Sequence, residues 1–125
     1  MKKTRLQIVN MVAAAIIFLL LGLHMTIMHT GVLHFLAPHG DDNDAIPNVL
    51  FRDGKLFFTI TYILLLAAAL YHSLYGLRTM LLERTSSPPA QRTITATLIV
   101  VGACLFILGT WAAIAAHFVA LAGKA

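Results

Sequence analysis

Charge is what this sequence has least of. Only 11% of its 125 residues are Asp, Glu, Lys or Arg, against about a quarter in a typical soluble domain. So few charges cannot cover a water-exposed surface, and 59% of the residues are hydrophobic. Lipid has to be much of the solvent, which excludes a soluble catalytic domain. Cysteine is nearly absent as well. Cys104 stands alone, so the chain forms no internal disulfide and cannot by itself ligate an iron–sulfur cluster. In an apolar helix it is expected to serve as a small packing residue. No repeat or low-complexity tract occurs. A net charge of +4 would suggest nucleic acid in a soluble protein. Here the basic residues sit at the ends of apolar runs, as membrane topology requires, and no nucleic-acid partner is expected.

What is present is three long apolar stretches in a chain with room for a single domain, residues 1–125. A hydrocarbon core of ~30 Å takes about 20 residues at 1.5 Å rise each. The stretches run from about Ile8 to Phe35, from Leu56 to Leu82 and from Ile94 to Ala122. They predict an all-α integral membrane bundle of three transmembrane helices. A polar segment from His39 to Lys55, holding Asp41, Asp42, Asp44, Pro47 and Asp53, separates the first two. Glu83 to Thr93, with Ser86, Ser87, Pro88 and Pro89, reads as a short turn outside the hydrocarbon.

Lys2, Lys3, Arg5, Arg78, Arg84 and Arg92 fall on one side of this topology, and Arg52, Lys55 and Lys124 on the other. Six basic residues against three place the N-terminus and the second turn in the cytoplasm. A basic N-terminus before an apolar run also opens secretory signals. Against cleavage, apolar character continues past Leu36, no A-x-A-like site follows Gly22, and His24 and His29 interrupt the segment. A retained first span is expected.

Polar residues at membrane depth are costly and tend to be functional. Those inside the spans are His24 and His29 on the first, His72, Arg78 and Glu83 on the second, and His117 on the third. His34 and His39 fall at or beyond the boundary and read as interfacial. Counted from Leu56, His72 lies roughly 24 Å deep, in the cytoplasmic half. An imidazole there must hydrogen-bond to another helix, line a water path or bind a metal. Haem iron in a membrane bundle suits histidines on facing helices, because neutral imidazole is a good ligand and the macrocycle is apolar. Gly76, four residues on, shares the helix face and would let a flat porphyrin approach the backbone. Arg78, roughly 9 Å further toward the cytoplasm, is placed to contact a haem propionate or a quinone oxygen. The plainer alternatives are an interhelical hydrogen bond for His72, close packing for Gly76 and snorkelling for Arg78.

Leu70-Tyr71-His72-Ser73-Leu74-Tyr75-Gly76-Leu77-Arg78, closed by Glu83, resembles the H-x-x-x-G segment in the second helix of cytochrome b membrane anchors. These are the anchors of succinate dehydrogenases and fumarate reductases, where that histidine is an axial haem b ligand. The stretch Leu23-His24-Met25-Thr26-Ile27-Met28-His29 is similar to the H-x4-H stretch of anchors carrying two haems, where the first histidine binds the haem far from the cytoplasm. The resemblance covers the first two spans, and the third agrees in general character. It implies His72 as ligand of the inner haem b and His24 of the outer one. Single-haem anchors carry a Ser…His-Arg segment near the cytoplasmic start of the first helix that contributes to a quinone site. Val9-Asn10-Met11 stands there instead, which favours the two-haem variety or a quinone site supplied by a partner.

In two-haem anchors the third helix supplies the outer haem's second ligand, which makes His117 the candidate. His24 is 19 residues past Arg5 and His29 is 24, while His117 is 25 past Arg92. At 1.5 Å per residue His29 and His117 reach nearly equal depth, roughly 36–38 Å, and His24 stops about one and a half turns short. Depth favours His29 as the partner of His117, and the family pattern favours His24. Helix tilt of about 20° absorbs part of the mismatch.

No histidine of this chain remains at the depth of His72, so a second small membrane-anchor subunit is expected to complete its haem. Gly102, Ala103, Gly109, Ala112, Ala113 and Ala116 suit close helix contact. Trp111 reads equally as core, belt or cofactor contact. The resemblance further implies soluble flavoprotein and iron–sulfur subunits on the cytoplasmic face, quinone as membrane substrate, and a bacterial or archaeal cytoplasmic membrane. The competing expectations are a haem-free anchor of the same complex, and a small structural or transport-related subunit whose histidines pass protons.

Overall fold

The computed structural model describes residues 2–29 and 53–123. They form three helices: α1 (Lys2–His29), α2 (Leu56–Glu83) and α3 (Pro88–Ala122). Each is long and apolar enough to cross a membrane, and no strand occurs among the described residues. The fold is all-α, as the composition predicts. The expected end of the first span at Phe35, most of the polar segment after it, and His34 and His39 lie outside the described residues.

Apolar periodicity alone started the third helix at Ile94. It starts at Pro88, because Pro88 and Pro89 occupy its first turn and Ser87 precedes them in extended conformation. Proline is pre-organised for that position, where its missing N–H would have had no partner anyway. The extra turns are tied down locally, since the Gln91 side-chain amide donates to the Thr85 carbonyl at 2.7 Å. The same prolines that mark a turn therefore open a helix, and the turn itself shrinks to the residues between Glu83 and Pro88.

Helix α2 packs on both α1 and α3, while α1 and α3 do not pack on each other among the described residues. The three helices form a layer with α2 in the middle. Its buried side chains are few and mostly small, among them Ala13, Ala68 and Ala120, with Ile27 against Phe58 the one large contact. Large apolar side chains such as Phe18, Met80 and Trp111 face outward, each more than two-thirds exposed. In water this would be an unstable surface, but in hydrocarbon an outward phenyl or thioether costs nothing. Within this chain Cys104 and Trp111 are both exposed on α3.

Several hydroxyls satisfy themselves, although Thr110 Oγ1 is buried without a partner among the described residues. Ser73 donates to the Ala69 carbonyl, Thr61 to Phe57 and Thr79 to Tyr75, the i−4 pattern that lets a helix carry such residues in lipid. The α2–α3 seam is set by two notches. A methyl placed on Gly102 would come within 2.5 Å of Leu74 Cδ1, and one on Gly109 would collide with Leu66. These glycines let the two backbones approach, as small residues do in membrane helices.

Candidate functional site

His72 points across the α1–α2 seam. Its Nδ1 lies 3.4 Å from the backbone carbonyl of Asn10, a long hydrogen bond. A carbonyl only accepts, so this contact is a hydrogen bond in the tautomer with the proton on Nδ1. Nε2 has no partner among the described residues, and the ring is exposed. This is the arrangement in which a backbone acceptor orients a histidine for a metal through its other nitrogen. One turn on, a methyl added to Gly76 would meet nothing within 4 Å, so Gly76 is not a notch for α1 or α3. The face carrying His72 and Gly76 is open on the outside of the layer. The adjacent Tyr71 hydroxyl donates to the Leu6 carbonyl at 3.3 Å, so two successive residues of α2 are held to successive turns of α1.

Arg78 points elsewhere. Six residues from His72, it lies about a third of a turn around the helix, and its Nε donates to Thr95 Oγ1 of α3 at 3.1 Å. Thr95 in turn donates to the Gln91 carbonyl at 2.8 Å. The guanidinium is thus braced against α3. It borders an apolar groove of about 600 Å³ lined by Ala67, Tyr71, Leu74, Tyr75, Gly102 and Phe106, among others. On its other side it borders a smaller cavity of about 470 Å³ that also takes in Gln91 and Arg92. Helix rotation carries Arg78 and His72 to faces about a third of a turn apart, with Arg78 Nε turned toward α3. Glu83 is exposed at the end of α2.

The outer histidines are separated. His24 meets Tyr62 edge-on, with ring centroids 6.0 Å apart. His117 donates through Nδ1 to the Asp53 carbonyl at 2.6 Å, before α2 begins. Tyr62 lies six residues inside α2, so the level of His24 is roughly 9 Å or more from that of His117 along the axis. The structure does not bring His24 and His117 together. The backbone of His29 closes α1, roughly 7.5 Å beyond His24 and nearer the level of His117. The depth count from the basic markers pointed the same way. Among the described residues no three His, Cys, Asp or Glu side chains gather around a common point.

Sequence reading missed three participants: the Asn10 carbonyl, Thr95 and the Tyr71–Tyr75 stack, whose rings lie 6.0 Å apart at 15°. No motif marks the first two. Their roles follow from the antiparallel register of helices, which only packing sets. Comparison with protein-family models, curated proteins and solved structures finds no match.

Proposed function

We propose that this chain is a membrane-anchor, haem b-binding subunit of a succinate:quinone oxidoreductase or fumarate reductase, seated in the cytoplasmic membrane of a bacterium or archaeon with its N-terminus inside. One observation carries the reading beyond the resemblance of the His72…Gly76 segment. Nδ1 of His72 is engaged by a backbone carbonyl while Nε2 stands without a partner on an open face, beside a glycine with empty space in front of it. A ring nitrogen left free, a second nitrogen turned to a backbone acceptor and a flat approach to the backbone are what a histidine ligand of a porphyrin needs.

The chain's own residues then divide the work. Nε2 of His72 would hold the haem iron, and the Asn10 carbonyl would keep the ring's orientation. Gly76 leaves room for the macrocycle against α2. A further ligand would have to come from a partner, since His24 sits at the level of Tyr62, ten residues along α2. A second small membrane subunit docked over the open face would supply it and cover the exposed ring. Bound there, haem b would relay single electrons between an iron–sulfur chain and membrane quinone. Succinate oxidation itself would take place on soluble flavoprotein and iron–sulfur subunits, docked on the cytoplasmic face next to the α2–α3 turn. With Arg78 braced to Thr95 away from this face, the quinone pocket is assigned to the partner interface.

The test is a reduced-minus-oxidised spectrum of the complex purified through this chain in mild detergent. A b-type spectrum that disappears in His72→Ala, with the complex still assembled, is the expected result. A complex without that spectrum, or one unchanged by His72→Ala, overturns the haem role. The first of these outcomes would leave the haem-free anchor, in which His72 only ties α2 to α1 through Asn10.

A further inference from the structure

We infer that the α2–α3 side of the layer is a site for one anionic phospholipid, its phosphate on Arg78 and Arg92 and an acyl chain in the groove that leads inward from them. The two cavities on this side are continuous through Arg78, Thr95 and Ile99, which line both. One is almost wholly apolar and the other carries the two guanidinium groups, so together they have the polarity of an amphiphile. Their length agrees. The groove runs from Arg78 to Ala67 on α2 and from Thr95 to Phe106 on α3, eleven residues on each helix and roughly 16 Å. That is about half of a ~30 Å hydrocarbon core, the depth of a single leaflet.

The charged end is at the right height. Helix α2 has 28 residues, roughly 42 Å, so a centred bilayer core leaves Arg78, five residues from the end, near its boundary. Neither Arg78 nor Arg92 has an acidic partner among the described residues. Arg78 is half-buried, and the Nε bond to Thr95 holds it in place, which separates it from a freely snorkelling arginine. Its terminal nitrogens have no partner among the described residues and are available for a phosphodiester, the anion that membranes supply at this height. Tyr75, whose hydroxyl has no partner among the described residues, lines the groove between the charged mouth and the apolar floor. This inference does not depend on the haem reading, because it rests on Arg78 and Arg92, and Arg78 lies about a third of a turn around α2 from His72.

The full chain is reconstituted in nanodiscs of phosphatidylcholine with a minor fraction of phosphatidylglycerol, extracted gently and weighed by native mass spectrometry. The expected result is one phosphatidylglycerol retained in preference to phosphatidylcholine. Retention falls about fivefold for each of Arg78→Gln and Arg92→Gln and persists in Arg78→Lys. Ala103→Phe fills the groove, leaves both arginines in place and also lowers retention. Circular dichroism and elution volume identify variants that fold, and Ala103→Phe decides the matter if the arginine variants do not. Equal retention of the two lipids means an ordinary annular shell and overturns the inference. Retention unchanged in the folded arginine double variant, or a quinone in the groove in place of a phospholipid, does the same.

Discussion

At the level of residues 72 to 78, helix α2 presents two faces about a third of a turn apart. One carries His72 and Gly76 and offers an electron pair beside empty space. The other carries Tyr75 and Arg78 and offers hydrogen-bond donors above an apolar groove. Both are open within this chain, yet the open space has different causes. On the first face α1 engages only one nitrogen of the ring, and nothing is packed over Gly76. On the second, Gly102 and Gly109 meet Leu74 and Leu66 across the seam, and the groove runs along it to where Arg78 and Thr95 meet. One apolar helix thus offers two chemically different faces because its neighbours are seated differently around it.

The comparison breaks most sharply at His72. His72→Ala is expected to abolish the b-type reduced-minus-oxidised spectrum completely while leaving phosphatidylglycerol retention unchanged, as read by absorbance and native mass spectrometry on one preparation. Loss of both together would mean that the two faces are not independent. Gly109→Leu comes next. Its side chain collides with Leu66 across the tight seam, and overpacking of this kind costs roughly 1–3 kcal/mol, measurable as a lowered midpoint in detergent unfolding. Gly102→Leu should cost less, since it meets only the end of Leu74.

Gly76→Leu sharpens the contrast between a notch and a slot. With nothing within 4 Å of its Cβ position, the variant should unfold like the parent, yet haem occupancy should fall about tenfold, equivalent to ~1.4 kcal/mol. A Gly76 variant that loses stability and keeps its haem would make the site a packing surface. Thr95→Val removes the brace on Arg78, and a membrane hydrogen bond of this type contributes about 0.6 kcal/mol, so the unfolding midpoint should move only slightly. The smallest effect is expected from Arg78→Gln on the b-type spectrum: none, because Arg78 lies on the other face.

The spans were legible in the sequence to different degrees. Leu56 to Leu82 against the observed Leu56–Glu83 is a near match, because one polar segment and one arginine-rich turn bracket a predominantly apolar run. Pro88 was legible as a breaker but not as a first helical residue, since proline marks both and only the surrounding backbone tells them apart. In the candidate site, the His72–Gly76 spacing and its shared face were readable from helix geometry alone. The direction of Arg78 was readable in part, as its rotation away from His72 follows from six residues of helix, but its brace to Thr95 was not. The separation of His24 from His117 could be approached by counting from Arg5 and Arg92. Its confirmation needed Tyr62 and Asp53 as markers on a common neighbour.

The sequence by itself determined that the chain is helical, that three of its stretches are long enough to cross a bilayer, and which imidazoles and guanidiniums enter or border it. Those properties follow from length, hydrophobicity and the cost of an unpaired backbone group in hydrocarbon, all of which are local. Tertiary structure alone decided that α2 lies in the middle of a layer, that Asn10 faces His72, and that a groove opens between α2 and α3. Helices that are apolar on every side carry no stripe that says which side meets a neighbour, so small notches and a handful of hydrogen bonds choose the register.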